Sequence, residues 1–187
     1  TPLVVSVNVS ALEFRQVGFV ERITALLNQY GLPAPQLELE LTESVLLHDA
    51  QEMEQVLAAL TCLGLRLAID DFGTGYSSLA YLKKLTIHRL KIDRTFVSGL
   101  PADEGDCAIV QAVVSMGLAL GISVVAEGVE TQAQRLALHN MGCEYYQGFL
   151  CAPALPAAEF RARTAGPAAD PKRAAKRTSC RSHAAKR

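Results

Sequence analysis

Two hydrophobic periodicities alternate along the chain. Short runs rich in Val, Ile and Leu are typical of strands, and the longer stretches between them have the spacing of amphipathic helices. The predicted strands are residues 3–9, 37–41, 67–70, 89–92, 123–126 and 145–150. The predicted helices are residues 11–30, 48–63, 76–85, 104–120 and 131–141, with a last helix over about 156–163.

Regular alternation of strand and helix indicates a parallel sheet covered by helices. Six such units fit within the first 160 residues or so, whereas a closed (β/α)₈ barrel has eight units and typically about 250 residues. The chain enters its first strand directly after Thr1-Pro2. We therefore expect an α/β protein with a (β/α)₈ TIM-like barrel, of which about the first two βα units are missing from this chain.

The alternative fold is a complete, open, doubly wound sheet of six strands. Such a fold would require a glycine-rich phosphate-binding turn after an early strand. The segment Asn8-Val9-Ser10-Ala11 does not provide one.

The net charge of −1 conceals two oppositely charged segments. Residues 1–160 hold nine basic and eighteen acidic residues, a charge of −9, and residues 161–187 hold nine basic residues and one acidic residue, a charge of +8. Residues 166–187 contain no Leu, Ile, Val or Phe, which predicts a disordered basic tail over residues 165–187 after a domain over residues 1–164. Because an acidic domain repels polyanions, nucleic-acid binding is not expected, although a basic arm remains the alternative for the tail.

Cysteine usage and hydropathy favour a reduced, cytoplasmic setting. The five cysteines are odd in number and contain no CxxC pair, so that neither a disulfide framework nor a zinc site is expected. The longest apolar run has about ten residues and contains two glycines, which predicts no transmembrane segment. No signal peptide opens the chain as given.

Polar side chains stand at or just beyond the carboxyl ends of the predicted strands. In a parallel barrel these ends meet at one mouth, where active sites lie. The residues are Asn8, Glu40, Glu43, Asp70, Asp71, Lys91, Asp93, Glu127, Glu130 and Gln147.

Carboxylate and amide oxygens without His or Cys make a hard site, suited to Mg²⁺, Mn²⁺ or Ca²⁺. Asp70 and Asp71 could not both remain ionised cheaply in one pocket without cations, so they are candidates to bridge two metal ions. Two ions about 3.5–4 Å apart would activate a water and stabilise the leaving oxygen of a phosphate ester. Lys91 would add a positive donor toward the phosphate or the attacking water.

Six motifs, in order over about residues 3–160, closely resemble the EAL domain. They are NVS at 8–10, ELTE at 40–43, DDFGTGYSSL at 70–79, KID at 91–93, VAEGVET at 125–131 and QG at 147–148. The resemblance implies a (β/α)₈ barrel that hydrolyses the bacterial second messenger cyclic di-GMP to linear pGpG, using Mg²⁺ or Mn²⁺.

The same resemblance implies a role for each motif residue. The metal ligands would be Asn8, Glu40, Asp70, Asp71 and Glu127. Lys91 would hold the catalytic water, with Glu127 as general base and Asp71 assisting at the second metal. Asp93, Glu130 and Gln147 would bind substrate. Glu43 would anchor the loop of residues 71–78, which contains Gly73, Thr74 and Gly75.

This sequence also departs from the family pattern. The Glu-Ala-Leu motif and a nearby arginine lie on a strand that would precede Thr1, so we expect the chain alone to be inactive. Family members commonly follow Gln-Gly with an aromatic-Ser-basic-Pro run, whereas Phe149-Leu150 here leads into Cys151-Ala152-Pro153.

Family members often dimerise and often follow a GGDEF or sensor domain, which could anchor the parent protein to a membrane. Two alternatives to the enzyme stay open: a cyclic di-GMP receptor without activity, and a protein-interaction module. Either would be favoured by loss of acids from the metal set or of Lys91, and the visible motifs retain them all.

Overall fold

The structure is a computed structural model that describes residues 3–43, 45, 50–75, 82 and 84–164. The chain divides into two units, Thr1–Cys151 and Ala152–Arg187. The described part of the second unit contains one helix, Ala157–Thr164. The predicted boundary at residue 164 and the predicted basic tail stay predictions, because residues 165–187 lie outside the described part.

The first unit is built on six parallel strands. They are β1 (Val5–Val9), β2 (Leu37–Thr42), β3 (Arg66–Phe72), β4 (Arg89–Ile92), β5 (Ser123–Ala126) and β6 (Tyr145–Tyr146). Each strand pairs with the next one in chain order, from β1 through to β6. A doubly wound sheet reverses its strand order at a switch point, so the alternative fold is wrong and the barrel-type winding is confirmed.

Helices connect the strands. In chain order they are α1 (Ala11–Phe14), α2 (Phe19–Tyr30), α3 (Ala50–Cys62), α4 (Arg94–Ser98), α5 (Glu104–Leu120), α6 (Gln132–Asn140) and, in the second unit, α7 (Ala157–Thr164). A short 3₁₀ helix, Ala34–Gln36, precedes β2. Most of the predicted helix over residues 76–85 lies outside the described residues.

The prediction of one helix over residues 11–30 is wrong, because the chain forms two. Ser10 and Glu13 make a reciprocal capping box that starts α1, and α1 ends after four residues. Gly18 then takes a left-handed conformation with φ of 79° and becomes the N-cap of α2. Glycine adopts this backbone without a Cβ clash, and the chain changes direction there.

The sixth strand is shorter than the predicted range of residues 145–150. Beyond Tyr146 the chain leaves the ladder and crosses the loop that follows β5. The N–H of Val129 donates to the carbonyl of Gln147 at 3.0 Å, and the N–H of Leu150 donates to the carbonyl of Val129 at 3.0 Å. Gln147 therefore lies after the strand, and its side chain is aimed from a loop.

The two faces of the sheet differ in polarity. On β2, Leu39 and Leu41 alternate with Glu38 and Glu40, and all four are buried. The leucines belong to a hydrophobic core that they share with Ile69 of β3 and with the helices. Since side chains of a strand alternate between faces, the opposite face of the sheet is polar and forms the candidate site.

The predictions on cysteine pairing and on transmembrane segments can be compared with the structure. Cys62, Cys107, Cys143 and Cys151, the cysteines within the described ranges, are free. In those same ranges no helix is both long and apolar enough to cross a membrane. Location in the cytoplasm stays a prediction.

Candidate active site

Parallel pairing places the polar residues of neighbouring strands at the same height. Asn8 of β1 is in register with Glu40 of β2, and Thr42 of β2 with Asp70 of β3. Lys91 lies on β4, and Glu127 follows β5 directly. We call the group of Asn8, Glu40, Asp70, Lys91 and Glu127 the acidic layer.

Lys91 contacts all three carboxylates of this layer. Its ammonium nitrogen lies 2.7 Å from Glu40 Oε2, 2.9 Å from Asp70 Oδ1 and 2.5 Å from Glu127 Oε1. A lysine has three N–H donors, so each carboxylate can receive one. Burial alone would lower the pKa of Lys91, but the three carboxylates outweigh burial and raise it above its ordinary value. Lys91 is therefore a fixed positive charge, and two of the three negative charges around it remain unbalanced.

Asn8 completes the layer at its outer edge. Its terminal amide atoms lie 3.1 Å from Asp70 Oδ2 and 3.2 Å from Glu40 Oε2. With the nitrogen turned inward, the amide donates to both carboxylates. With the oxygen turned inward, it adds a third oxygen to the two carboxylates, which is the donor set that hard divalent cations take.

Asp71 continues the acidic cluster beyond the layer. One carboxylate oxygen from each of Asp70, Asp71 and Glu127 can be chosen so that all lie within 4.8 Å of one another. Asp71 also has a positive φ of 53°, which is uncommon for a residue with a side chain and clusters at functional sites. These three residues could hold a cation together, as the sequence predicted for Asp70 and Asp71.

The carboxyl groups of Asp71 and Asp93 lie close enough to shift each other's pKa. Burial, the proximity of Asp93 and the charge of Asp70 raise the pKa of Asp71. Burial acts in the same direction on Asp93, but two hydrogen bonds from Thr95 outweigh it and lower the pKa of Asp93. The Thr95 N–H and hydroxyl both donate to Asp93 Oδ1, at 2.8 and 2.5 Å, so that Asp93 caps α4.

Glu43 holds the loop that follows β3. The N–H groups of Gly73 and Gly75 donate to Glu43 Oε2 at 3.2 and 3.1 Å. A Cβ on Gly75 would lie 2.9 Å from the Glu43 carboxylate, so glycine is needed for this approach. The Thr74 hydroxyl donates to the Asp71 carbonyl at 2.8 Å and ties the loop to the cluster. The predicted loop continues to residue 78, and residues 76–78 lie outside the described range.

Glu127 is fixed from two sides. Gln147 Nε2 donates to Glu127 Oε1 at 2.8 Å, and Lys91 contacts the same oxygen. Burial raises the pKa of Glu127 even though Lys91 acts in the opposite direction. Glu130 is exposed and, with Arg94 and Phe149, lines a neighbouring cavity of about 500 Å³. The structure thus places Glu130 beside the layer rather than within it.

A second polar group on the same face was not singled out from the sequence. Arg89 lies 2.7 Å from Glu38 Oε1, the Ser6 hydroxyl donates to the same oxygen at 2.7 Å, and Arg89 Nε donates to Ser123 at 3.4 Å. We call these four residues the paired layer. The sequence signal for this layer was the two-residue period of strands. Glu38 precedes Glu40 by two positions and Arg89 precedes Lys91 by two, so each pair shares a face.

The fold and the site define a class: a barrel-type parallel α/β protein with an acidic, all-oxygen site at the carboxyl ends of its strands. The family model of the EAL domain matches residues 1–154. The chain therefore belongs to the EAL domain family.

Relatives and solved structures agree with this assignment. The bifunctional diguanylate cyclase/cyclic di-GMP phosphodiesterase MucR of Pseudomonas aeruginosa is 45% identical over 161 residues, which are 86% of this chain and 24% of MucR. A solved MucR phosphodiesterase in complex with c-di-GMP superposes with a TM-score of 0.81 at 44% identity, covering 84% of this chain and 64% of that chain.

Two further solved structures extend the comparison. The EAL domain of DcpA from Mycobacterium smegmatis has a TM-score of 0.81 and 42% identity, covering 86% of this chain and 72% of that chain. BlrP1 of Klebsiella pneumoniae, solved with manganese and cyclic di-GMP, has a TM-score of 0.73 and 34% identity, covering 79% of this chain and 38% of that chain. The chain spans about a quarter of the length of MucR.

Proposed function

We propose that this chain is part of a phosphodiesterase domain that hydrolyses cyclic di-GMP to linear pGpG. The observation that carries the proposal is the acidic layer, in which three carboxylates and one ammonium group meet at the carboxyl ends of the strands. MucR, which shares 45% identity with the chain, is named a cyclic di-GMP phosphodiesterase. The layer retains the acids and the lysine whose loss would favour a receptor or an interaction module.

Mg²⁺ or Mn²⁺ fits the residues present. Asn8, Glu40 and Asp70 would hold one ion, and Asp70, Asp71 and Glu127 the other, since their oxygens converge. Ions bound there would supply Lewis-acid stabilisation of the phosphate and a more acidic water. The two unbalanced negative charges of the layer are what favours cation binding.

The surrounding residues would orient the substrate and move the protons. Water adds to phosphorus, the bond from phosphorus to the ribose 3′ oxygen breaks, and that oxygen takes up a proton from the surrounding water. Glu127 Oε2 would accept the proton of the water, because Oε1 is occupied by Lys91 and Gln147. The positive charge of Lys91 would stabilise the attacking water and the phosphate. Asp93, Glu130 and Gln147 would contact substrate from the loops around the layer.

Further expectations from the resemblance stay predictions. They concern dimer formation, an upstream GGDEF or sensor domain, and activity that depends on the segment carrying the Glu-Ala-Leu motif. For this reason the experiments below use the full-length protein that carries this chain.

The first prediction tests hydrolysis directly. The full-length protein with Mn²⁺ should convert cyclic di-GMP to pGpG, followed by chromatography. Asp70→Asn should lower kcat by about 10³-fold or more, because a carboxylate shared by the two proposed cation sites is lost. Asp103→Asn is the matched control, because Asp103 caps α5 through an oxygen that asparagine retains.

Two outcomes would contradict the proposal. Tight binding of cyclic di-GMP without product from the unsubstituted protein would identify a receptor. Equal turnover by Asp70→Asn and Asp103→Asn would show that the acidic layer is not the catalytic site.

A further inference from the structure

The loop that carries Glu127 is locked on one side by backbone contacts. Val129, within this loop of residues 127–131, exchanges two backbone hydrogen bonds with the segment after β6, each 3.0 Å long. A Cβ on Gly148 would lie 2.3 Å from the Val129 nitrogen, so the two segments meet as closely as backbones can. Two hydrogen bonds and this close approach hold the loop at Val129.

On its other side the loop is held by the side chain of Gln134. Gln134 lies in the first turn of α6 and is 7% exposed. Its Oε1 accepts the N–H groups of Glu130 and Thr131, both at 2.9 Å. In return the Thr131 hydroxyl accepts the Gln134 N–H at 3.2 Å.

The hydrogen bond from Glu130 to Gln134 is not part of the capping box. In a capping box the N3 side chain reaches back to the N–H of the N-cap residue, which here is Thr131. The bond to Glu130 extends one residue further, into the loop itself. Gln134 thus ties the loop to the start of a helix as well as capping that helix.

The loop places Glu127 in close contact with Lys91, so a small change in its position would break that contact. Glu127 Oε1 lies 2.5 Å from Lys91 and 2.8 Å from Gln147. Because Gln147 belongs to the segment that Val129 holds, a shift of this loop would move Glu127 and Gln147 together, relative to Lys91 on β4. A displacement of about 1 Å at a reacting group can lower the rate by about 100-fold.

We propose that Gln134 is a positioning residue that sets the place of Glu127 through the backbone of Glu130. This rests on the proposed function, since it assigns a role in that reaction. Loss of the Gln134 side chain would change the position of Glu127. It would therefore lower activity more than the loss of a helix cap alone does.

The test compares two members of one capping box in the full-length protein. Gln134→Ala should lower kcat about 10-fold with KM changed less than two-fold, and should weaken Mn²⁺ binding several-fold in a calorimetric titration. Thr131→Ala removes a cap from the same helix but leaves the bond to Glu130, so it should reduce the melting temperature comparably while kcat changes less than two-fold. Gln134→Glu should restore kcat, because a carboxylate accepts the same two N–H groups.

The outcomes separate this inference from the proposed function. Equal changes in kcat and Mn²⁺ affinity for Gln134→Ala and Thr131→Ala would reduce Gln134 to a helix cap and overturn the inference. If the unsubstituted protein does not hydrolyse cyclic di-GMP, the proposed function fails. The Mn²⁺ titration then still decides whether Gln134 positions Glu127.

Discussion

The polar face of the sheet carries two layers of charged residues. The layers contain similar residue types but differ in the ratio of negative to positive groups. In the paired layer one carboxylate, Glu38, meets one guanidinium, Arg89, and two serine hydroxyls assist. In the acidic layer three carboxylates meet one ammonium group. The two layers are one strand period apart on the same strands, with Glu38 below Glu40 and Arg89 below Lys91.

The difference in charge balance separates structure from function. An ion pair whose charges cancel does not need a further charged partner. Removing Arg89 would leave the buried carboxylate of Glu38 uncompensated. Three carboxylates around one ammonium group retain a net negative charge that added cations can cancel. The paired layer is therefore expected to serve stability, and the acidic layer to bind cations at a cost in stability.

The largest expected effect on stability is in the paired layer. Arg89→Met should lower the free energy of unfolding by about 3 kcal/mol, because Glu38 is 1% exposed and loses its counter-charge. Its Oε2 also has no hydrogen-bond partner within the described ranges, which leaves less to compensate the loss. A urea titration of the full-length protein measures the change.

The matched control removes both charges of the pair. Arg89→Met combined with Glu38→Gln should regain most of the lost stability, because no buried charge remains. Turnover per folded molecule should stay within about two-fold in both variants. A large loss of turnover without a loss of stability would show that the paired layer takes part in the site.

The next effect concerns the loop beside the acidic layer and should fall on turnover. Glu43→Ala should lower kcat by about 10- to 100-fold, because Gly73 and Gly75 lose the acceptor that holds them. Stability should fall by less than turnover does, since Gly73 and Gly75 are exposed and their N–H groups can bind water instead. Steady-state kinetics and thermal melting on the same samples provide the comparison.

Glu43→Gln is the conservative variant, since an amide oxygen can still accept from the loop. It should retain more turnover than Glu43→Ala. Should melting temperature and kcat fall in parallel in both variants, Glu43 would be a structural residue like Glu38, and the distinction between the layers would not extend to the loop.

The sequence predicted the bounds of helices and strands best where a single local signal determines where the element begins or ends. The ranges of β4, β5 and α5 agree with the predicted ones, because a short apolar run or a cap with a following glycine fixes each end. The prediction of one helix over residues 11–30 failed because Gly18 interrupts an otherwise continuous amphipathic pattern. Helix α4 was missed since five residues are too few for periodicity to show.

The same distinction applies to the site. Strand ends predicted which side chains meet, and the structure brings Asn8, Glu40, Asp70, Lys91 and Glu127 into contact. The spacing of Thr131 and Gln134 is that of a capping box, but the bond from Glu130 to Gln134 lies outside that motif and could not be predicted from it.

The smallest expected effect tests whether the acidic layer costs stability. Burial holds the folded-state pKa of Glu127 above its ordinary value of 4.5, so the folded protein binds this proton more tightly than the unfolded chain does. Stability from this group is therefore present at low pH and is lost as the pH rises from about 4.5 through the folded-state pKa. Glu127→Gln cannot ionise and should avoid the loss.

Without divalent ions at pH 7, Glu127→Gln should therefore be more stable than the unsubstituted protein by about 1 kcal/mol, and the difference should vanish near pH 4. Added Mn²⁺ should stabilise the unsubstituted protein more than the variant, because the variant has lost a candidate ligand. Melting curves across this pH range, with EDTA or with Mn²⁺, measure both effects. If Glu127→Gln were less stable at pH 7, the ion pair of Glu127 with Lys91 would outweigh the cost of burial, and the acidic layer would stabilise the fold as the paired layer does.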